Sequence, residues 1–230
     1  NPIADWHSWR QADTSSVSRE FAENGFDILH PKFHDLSNVP SGIDNPKGYR
    51  FVEFPIYNIF QAVFFVAFDF FTLEEWGRLI TIFSSLSSSV FIFLILRKNQ
   101  SEFAGFLGAF FFAVLPYNVF YGRTILPDPS TAAAILAGIY FFDEWTEKAQ
   151  KTNFKSLLFF TLSIVFTAGA FLLKPFALFF TLPMIFLAFN RFGKKAFLNP
   201  YLWVFAILTV LPFASWRIWI MQFPEGIPVS

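Results

Sequence analysis

Residues 156–173 have the sequence SLLFFTLSIVFTAGAFLL, which contains no charged side chain. A helix rises about 1.5 Å per residue, so about 20 apolar residues cross the roughly 30 Å hydrocarbon core of a bilayer. Apolar stretches of similar length recur along the chain after residue 78. The sequence therefore predicts an all-α fold, a polytopic membrane helix bundle whose partner is the lipid bilayer.

The composition of the 230-residue chain excludes several other classes of protein. Hydrophobic residues make up 54% of it and charged residues only 15%, whereas ordinary soluble domains carry roughly 25% charged residues. A formal net charge of zero gives no sign of a nucleic-acid partner. The lack of cysteine excludes disulfides and thiolate metal sites. Because the chain opens without Met on a polar segment, we expect a fragment that lacks its first transmembrane helix and its C-terminal part.

The apolar pattern divides the chain into three parts. Residues 1–78 are predicted to form a first outer loop, and residues 221–230 the start of a further outer loop. Between them we predict six transmembrane helices, some bounded or interrupted by proline, which membrane helices tolerate. Their predicted ranges are 79–97, 103–121, 129–145, 156–173, 175–190 and 200–220.

The first outer loop is predicted to carry two juxtamembrane helices, at about residues 14–24 and 55–71. For the first of them, Asp13 or Thr14 is a suitable N-terminal cap and Gly25 a suitable end. Such a short helix would lie on the membrane surface rather than cross the bilayer.

Basic residues concentrate in alternate connections between the predicted spans, and short basic loops stay in the cytoplasm. This places the connections around Arg97, Lys148 and Arg191 inside. The connections around Asp128 and Lys174, and the segment after the last span, then face outside, which is the periplasm in a bacterium.

Residues 55–71 allow two interpretations. If they cross the bilayer, the polar head of the chain and the loop at Asp128 lie on opposite sides. If they form a re-entrant or juxtamembrane helix, both lie on the outer face. Asp69 would be costly at the middle of a bilayer and favours the second interpretation, while a true span stays open as the alternative.

Charged side chains then collect on the outer face. Each has an ordinary explanation: basic residues can anchor at headgroups, Asp13 can cap a helix, and Glu53 can pair with Arg50 or Lys47. Taken as a set, however, these charges suit a specific chemistry. A carboxylate can deprotonate an acceptor hydroxyl while several cations hold a leaving phosphate. This combination indicates glycosyl transfer from a polyprenyl-phosphate sugar. The set consists of His7, Arg10, Asp13, Glu53, Arg78, Arg123, Asp128, Lys174 and Arg217.

A run of ordered motifs extends along the chain: His7-x-Trp9-Arg10-x-x-Asp13-Thr14, Arg19-Glu20-Phe21, Asp27-Ile28-Leu29-x-Pro31, Glu53-Phe54-Pro55-Ile56-Tyr57, Glu75-x-x-Arg78-Leu79, Pro116-x-x-x-x-Tyr121-x-Arg123, Pro127-Asp128, Leu173-Lys174-Pro175, Trp216-Arg217 and Pro224-Glu225-Gly226-Ile227-Pro228. Their order and spacing resemble those of bacterial membrane glycosyltransferases of the C-type superfamily. The closest likeness is to family 39, which includes protein O-mannosyltransferases and lipid A aminoarabinose transferases. Each motif alone is weak, whereas their order together is fairly specific.

The resemblance implies roles for individual residues. Asp13 matches the family's catalytic base and Asp128 its second essential acid. Glu53 matches an acid that in some relatives binds the substrate or a metal, which makes a divalent metal a candidate cofactor. Aminoarabinose transferases have a phosphate-binding Lys and Arg where this chain has Phe54 and Ser16, so the resemblance favours a more general sugar transferase. The implied substrate- and phosphate-binding residues are His7, Arg10, Glu53, Arg78, Arg123, Lys174 and Arg217.

The resulting hypothesis is an inverting sugar transferase of the bacterial inner membrane, with its active site on the periplasmic face and a glycolipid, polysaccharide or protein of the cell envelope as acceptor. Asp13, at a helix N-terminus, would be kept ionised by the helix dipole. Two alternatives stay open. A polyprenyl-linked glycan transporter would need charges along a water-filled path, and a non-catalytic glycolipid-binding protein would need no base.

Overall fold

The computed structural model describes residues 6–148 and 153–229, and it confirms the all-α fold. Within these ranges the regular elements are helices, apart from one isolated β-bridge between Lys32 and Tyr49. The α-helices are α1 (Ser8–Asn24), α2 (Ile56–Ala67), α3 (Leu73–Asn99), α4 (Glu102–Val114), α5 (Pro116–Tyr121), α6 (Asp128–Lys148), α7 (Phe154–Leu173), α8 (Leu182–Phe192) and α9 (Pro200–Ile220). Short 3₁₀ helices cover Pro175–Thr181, Gly193–Leu198 and Pro224–Gly226.

Four helical segments of the described residues have the length and apolarity needed to cross a bilayer: Leu73–Asn99, Phe154–Leu173, Pro175–Leu198 and Pro200–Ile220. They contain the predicted spans 79–97, 156–173, 175–190 and 200–220.

The other two predicted spans are not among these four segments. The span 103–121 is divided into α4 and α5, because Pro116 lacks the N–H that would continue the ladder of α4. The span 129–145 lies within the 21-residue α6, which carries Asp143 and Glu144 near its end and is less apolar than the four segments above.

Helix α1 begins earlier than the sequence predicted. It starts at Ser8, after His7 in the left-handed conformation with φ 60°, so neither Asp13 nor Thr14 is its cap. The Thr14 hydroxyl instead donates to the Arg10 carbonyl oxygen at 2.9 Å, a bond within the helix. The predicted end at Gly25 is confirmed, with φ 93°. Asp13 therefore lies inside the helix rather than at its positive end.

Side-chain hydrogen bonds join α1, α2 and the start of α3. Ser18 Oγ donates to Gln61 Oε1 at 2.7 Å, and Gln61 Nε2 donates to the Leu73 carbonyl oxygen at 2.9 Å. Asn58 Nδ2 donates to the Thr14 carbonyl oxygen at 2.7 Å. Helix α2 has 12 residues, about 18 Å at the helical rise. This length supports the juxtamembrane interpretation of this segment, which stays a prediction.

The far end of α6 carries a network of ion pairs. Lys98 Nζ lies 3.2 Å from Asp143, 2.9 Å from Glu144 and 3.1 Å from Glu147, and Arg191 pairs with Glu147 at 2.5 Å. Charged side chains at the end of a membrane helix are tolerated when they are paired with opposite charges. The network joins α3, α6 and α8 at the end of α6 opposite to Asp128.

A close approach of α6 and α7 depends on Gly138. Ser163 Oγ donates to its carbonyl oxygen at 2.9 Å, and a Cβ at this position would lie 2.4 Å from Thr167 Oγ1. We expect Gly138→Ala to lower the free energy of unfolding by about 1–3 kcal/mol, because the added methyl overpacks the interface. Thermal unfolding in detergent micelles measures the loss. Gly169→Ala is the matched control on α7, since its Cβ would meet nothing within 4 Å; equal melting temperatures for the two variants would contradict the packing argument.

Candidate active site

The first loop folds over the ends of α6 and α7 through backbone hydrogen bonds. Phe54 N donates to the Leu172 carbonyl oxygen at 3.0 Å, and Phe51 N donates to the Gly226 carbonyl oxygen at 2.8 Å. Gln11, which is buried, accepts from Ile125 N at 3.1 Å. These contacts bring α1, the segment before α2 and the loop before α6 to one place. The cleft between them, called here the Asp13 cleft, is lined by Arg10, Asp13, Arg50, Glu53, Asn58 and Leu173, among others.

Glu53 is held by two cations. Arg10 Nη2 donates to both carboxylate oxygens, at 2.5 and 2.6 Å, and Lys174 Nζ lies 2.7 Å from Oε1. The Glu53 side chain is only 13% exposed. Burial alone would raise its pKa, but Arg10 and Lys174 outweigh burial and hold the pKa of Glu53 below its ordinary value. Glu53 is therefore a buried carboxylate that stays ionised.

Lys174 connects this group to Asp128. Its Nζ lies 3.6 Å from Asp128 Oδ2, and the Asp128 side chain is 42% exposed in the first turn of α6. A carboxylate at this position is also stabilised by the helix dipole. The structure thus brings four predicted site residues into one chain of contacts: Arg10, Glu53, Lys174 and Asp128.

Asp13 is paired with Arg50, which is not among the predicted site residues. Arg50 Nη2 donates to Asp13 Oδ2 at 2.7 Å, and the Asp13 side chain is 23% exposed. Burial raises the pKa of Asp13, and Arg50 and Arg10 offset this only in part. The expectation that the helix N-terminus keeps Asp13 ionised is wrong, because the helix begins at Ser8. A raised pKa makes the carboxylate a stronger base.

The remaining predicted ligands, which are His7, Arg78, Arg123 and Arg217, are not among the described lining residues of the Asp13 cleft. His7 precedes α1 and its ring centroid is 6.1 Å from that of Tyr121. Arg78 lies on α3 close enough to act electrostatically on the buried Tyr57. Arg123 lines a separate groove beside α3 and α4. Arg217, in the last turn of α9, follows the buried Trp216.

Two positions that depart from the aminoarabinose transferases have packing roles. Ser16 Oγ accepts a hydrogen bond from His34 N at 2.8 Å. Phe54 packs edge-on against Trp216, with ring centroids 5.0 Å apart. Neither Ser16 nor Phe54 carries a positive charge that could take the place of the phosphate-binding Arg and Lys implied at these positions by the resemblance.

Sequence reasoning missed Arg50 and Gln11. From its position alone Arg50 is expected to pair with the nearby Glu53, whereas it pairs with Asp13, 37 residues earlier. Gln11 lies between Arg10 and Asp13 and is buried where it accepts from Ile125 N, a long-range contact that no local sequence pattern indicates.

The described residues do not fit a divalent metal at Glu53. Both oxygens of Glu53 are bonded to Arg10, and one of them also to Lys174. In residues 6–148 and 153–229, no three side chains of the His, Cys, Asp and Glu type come together as a metal site would require. The cation role at this carboxylate is filled by Arg10 and Lys174.

Glu53 should make stability depend on acid pH. Because its folded pKa lies below the ordinary value of 4.5, its contribution is complete above that value and is lost as pH falls below it. The pKa of Asp13 is raised in the fold, so Asp13 makes stability change with pH in the opposite direction. The effect of Glu53 is therefore isolated by comparing wild type with Glu53→Gln, since both proteins contain Asp13. We expect the difference in melting temperature between the two to stay constant near neutral pH and to narrow below about pH 4.5. Thermal unfolding in micelles across this range measures it, and a difference independent of pH would contradict the ionised state of Glu53.

Comparison with known proteins gives one family. A family model described as dolichyl-phosphate-mannose-protein mannosyltransferase matches residues 52–219. No curated protein and no solved structure matches the chain at a significant level. The matched range begins one residue before Glu53, includes Asp128 and Lys174, and excludes α1 with Asp13.

Proposed function

The chain belongs to the dolichyl-phosphate-mannose-protein mannosyltransferase family, and on that premise we propose that it transfers a sugar from a polyprenyl-phosphate donor to a hydroxyl group of a cell-envelope acceptor. It is a multi-pass membrane glycosyltransferase of the C type. The observation that supports the proposed reaction is the Asp13 cleft, where a carboxylate of raised pKa lies within reach of Arg50 and near Arg10.

The proposed reaction is a single displacement at the anomeric carbon. The acceptor oxygen forms a bond to that carbon while the bond from the carbon to the phosphate oxygen breaks. The electron pair of the broken bond stays with the phosphate, which leaves as polyprenyl phosphate, and Asp13 takes the proton of the acceptor hydroxyl. Attack from the face opposite the leaving group inverts the anomeric configuration. Cations beside the cleft stabilise the charge that develops on the phosphate.

Asp128 has a supporting role in this proposal. It is more exposed than Glu53 and is joined to the cleft through Lys174, so it can accept a hydrogen bond from a sugar or acceptor hydroxyl. The ion-paired group of Arg10, Glu53 and Lys174 keeps the floor of the cleft in place.

We place the active site on the periplasmic face of a bacterial inner membrane. The two ends of α6 support this orientation. Asp128 lies at one end with the Asp13 cleft, whereas Lys98, Lys148 and Arg191 lie at the other. Basic connections of this kind stay in the cytoplasm.

The test is a donor assay with the full-length protein in lipid nanodiscs. A set of polyprenyl-phosphate sugars, mannose first, is supplied with a membrane extract as acceptor, and both release of polyprenyl phosphate and labelling of the acceptor are measured. Turnover with at least one donor is the expected result. Movement of the lipid-linked sugar across the bilayer of reconstituted vesicles, without release of polyprenyl phosphate, would instead indicate a transporter. Binding with neither release nor movement would indicate a non-catalytic glycolipid-binding protein.

A further inference from the structure

Most cations of the site are already engaged by carboxylates. Arg10 and Lys174 both bond to Glu53, and Lys174 also approaches Asp128. A phosphate group that bound to these two side chains would have to compete with a buried carboxylate for both of them. The charges of this group are therefore better suited to holding the cleft together than to receiving the donor.

Arg50 differs from them because it has unused hydrogen-bonding groups. Only Nη2 has a partner, Asp13 Oδ2, while Nε and Nη1 are buried without one. The Arg50 side chain is 6% exposed, and its guanidinium lies 5.0 Å from the centre of the Phe33 ring. The ring supports the plane of the guanidinium and leaves the edges for hydrogen bonds. Buried N–H groups without acceptors carry a free-energy cost, so these two atoms indicate an acceptor that arrives later.

A phosphate matches this set of donors. Guanidinium groups bind phosphate oxygens through two parallel N–H bonds, a geometry that a single ammonium group cannot provide. Arg50 lines the Asp13 cleft together with Asp13 itself. An anion that reached Arg50 would therefore lie directly beside the carboxylate that takes the proton.

We propose that Arg50 is the ligand of the donor phosphate, and that phosphate binding displaces Asp13 from Arg50 and so releases the base. This inference rests on the proposed function, since it names the residue that receives the donor. In the free protein the Arg50–Asp13 pair keeps the base occupied. The incoming phosphate competes for the guanidinium, and Asp13 then turns to the acceptor hydroxyl. Base release is thereby coupled to donor binding, which limits exposure of a free base in the empty cleft.

The experiment measures binding rather than turnover. Affinity for a short-chain polyprenyl phosphate is compared with affinity for the corresponding polyprenol, using full-length protein in nanodiscs. We expect Arg50→Gln to weaken binding of the phosphate about 10- to 100-fold, as for loss of hydrogen bonds to a charged group, and to leave polyprenol binding unchanged. Arg50→Lys should lose less affinity for the phosphate than Arg50→Gln, because lysine keeps the positive charge although it lacks the paired N–H groups.

A second variant, which keeps Arg50, is expected to tighten phosphate binding rather than weaken it. Asp13→Asn removes the competing charge, so it should tighten binding of polyprenyl phosphate by about fivefold, the equivalent of one hydrogen bond. The double variant Asp13→Asn with Arg50→Gln should lose this gain. If Arg50→Gln does not fold, the affinity of Asp13→Asn decides the question: tightened binding supports the proposal and unchanged binding overturns it.

The control is Arg19→Gln. Arg19 also lies on the first-loop side of the protein, but it pairs with Glu74 at 2.6 Å and is not part of the described cleft lining, so its loss should leave phosphate affinity unchanged. If the wild type binds polyprenyl phosphate no better than polyprenol, the donor assignment fails and the role of Arg50 with it. If the wild type prefers the phosphate but Arg50→Gln and Asp13→Asn both match it, only the role of Arg50 fails.

Discussion

Asp13→Asn should lower kcat/KM of the full-length enzyme by about 10²- to 10⁴-fold, the usual contribution of a general base. Asparagine has nearly the same shape and can still accept the hydrogen bond from Arg50 Nη2, so the geometry of the pair is kept. It cannot take a proton from the acceptor hydroxyl. The measurement is the initial rate of polyprenyl phosphate release as a function of donor concentration at saturating acceptor, normalised to folded protein.

The normalisation matters because Asp13→Asn also leaves the buried Arg50 without its counter-charge. Melting temperature and size-exclusion profile therefore accompany the rate. Asp27→Asn is the matched control: Asp27 is an exposed carboxylate whose hydrogen-bond partner is His30, close to it in sequence, and its loss should leave the rate unchanged. Activity of Asp13→Asn within a few-fold of wild type would remove Asp13 from the role of base.

Hydropathy predicted the membrane helices well because the signal is local. Ranges such as 156–173 and 200–220 need only a run of apolar side chains, and the structure contains them in α7 and α9. The same logic failed at 103–121, where a single proline divides an apolar run into two helices. It also failed at the start of α1, since extension back to Ser8 is accompanied by burial of Gln11 against the distant Ile125.

Some residues of the candidate site could be selected from the sequence, but Arg50 and its pairing with Asp13 could not. Charges at the ends of apolar segments indicated Arg10, Glu53, Asp128 and Lys174, and the structure brings these four into contact. The pairing of Arg50 with Asp13 depends on how the loop between them folds back, with Arg50 N donating to the Pro31 carbonyl oxygen at 2.8 Å. Such a contact arises from tertiary packing, which no local pattern encodes.

Glu53→Gln should be the most destabilising single change in the site. It removes a buried negative charge that has two positive partners, Arg10 and Lys174, whose side chains are 15% and 18% exposed. Breaking a buried ion pair from one side costs about 3–5 kcal/mol, because the remaining charge stays buried without compensation. Lys174 keeps a longer contact to Asp128, so Arg10 bears most of the loss. Chemical unfolding of the protein in micelles at neutral pH measures the change in free energy.

Two comparisons show whether the loss of stability in Glu53→Gln comes from its buried ion pairs or would follow from removing any carboxylate. Glu23→Gln, on the exposed face of α1, the helix that carries Arg10, should change stability by less than about 0.5 kcal/mol. The double variant Glu53→Gln with Arg10→Gln should recover part of the loss, because the buried charge that bears most of it is removed together with its partner. If Glu53→Gln were no more destabilising than Glu23→Gln, the cations would be solvated rather than held by Glu53. The floor of the Asp13 cleft would then be mobile, and the site would need its substrate to assemble it.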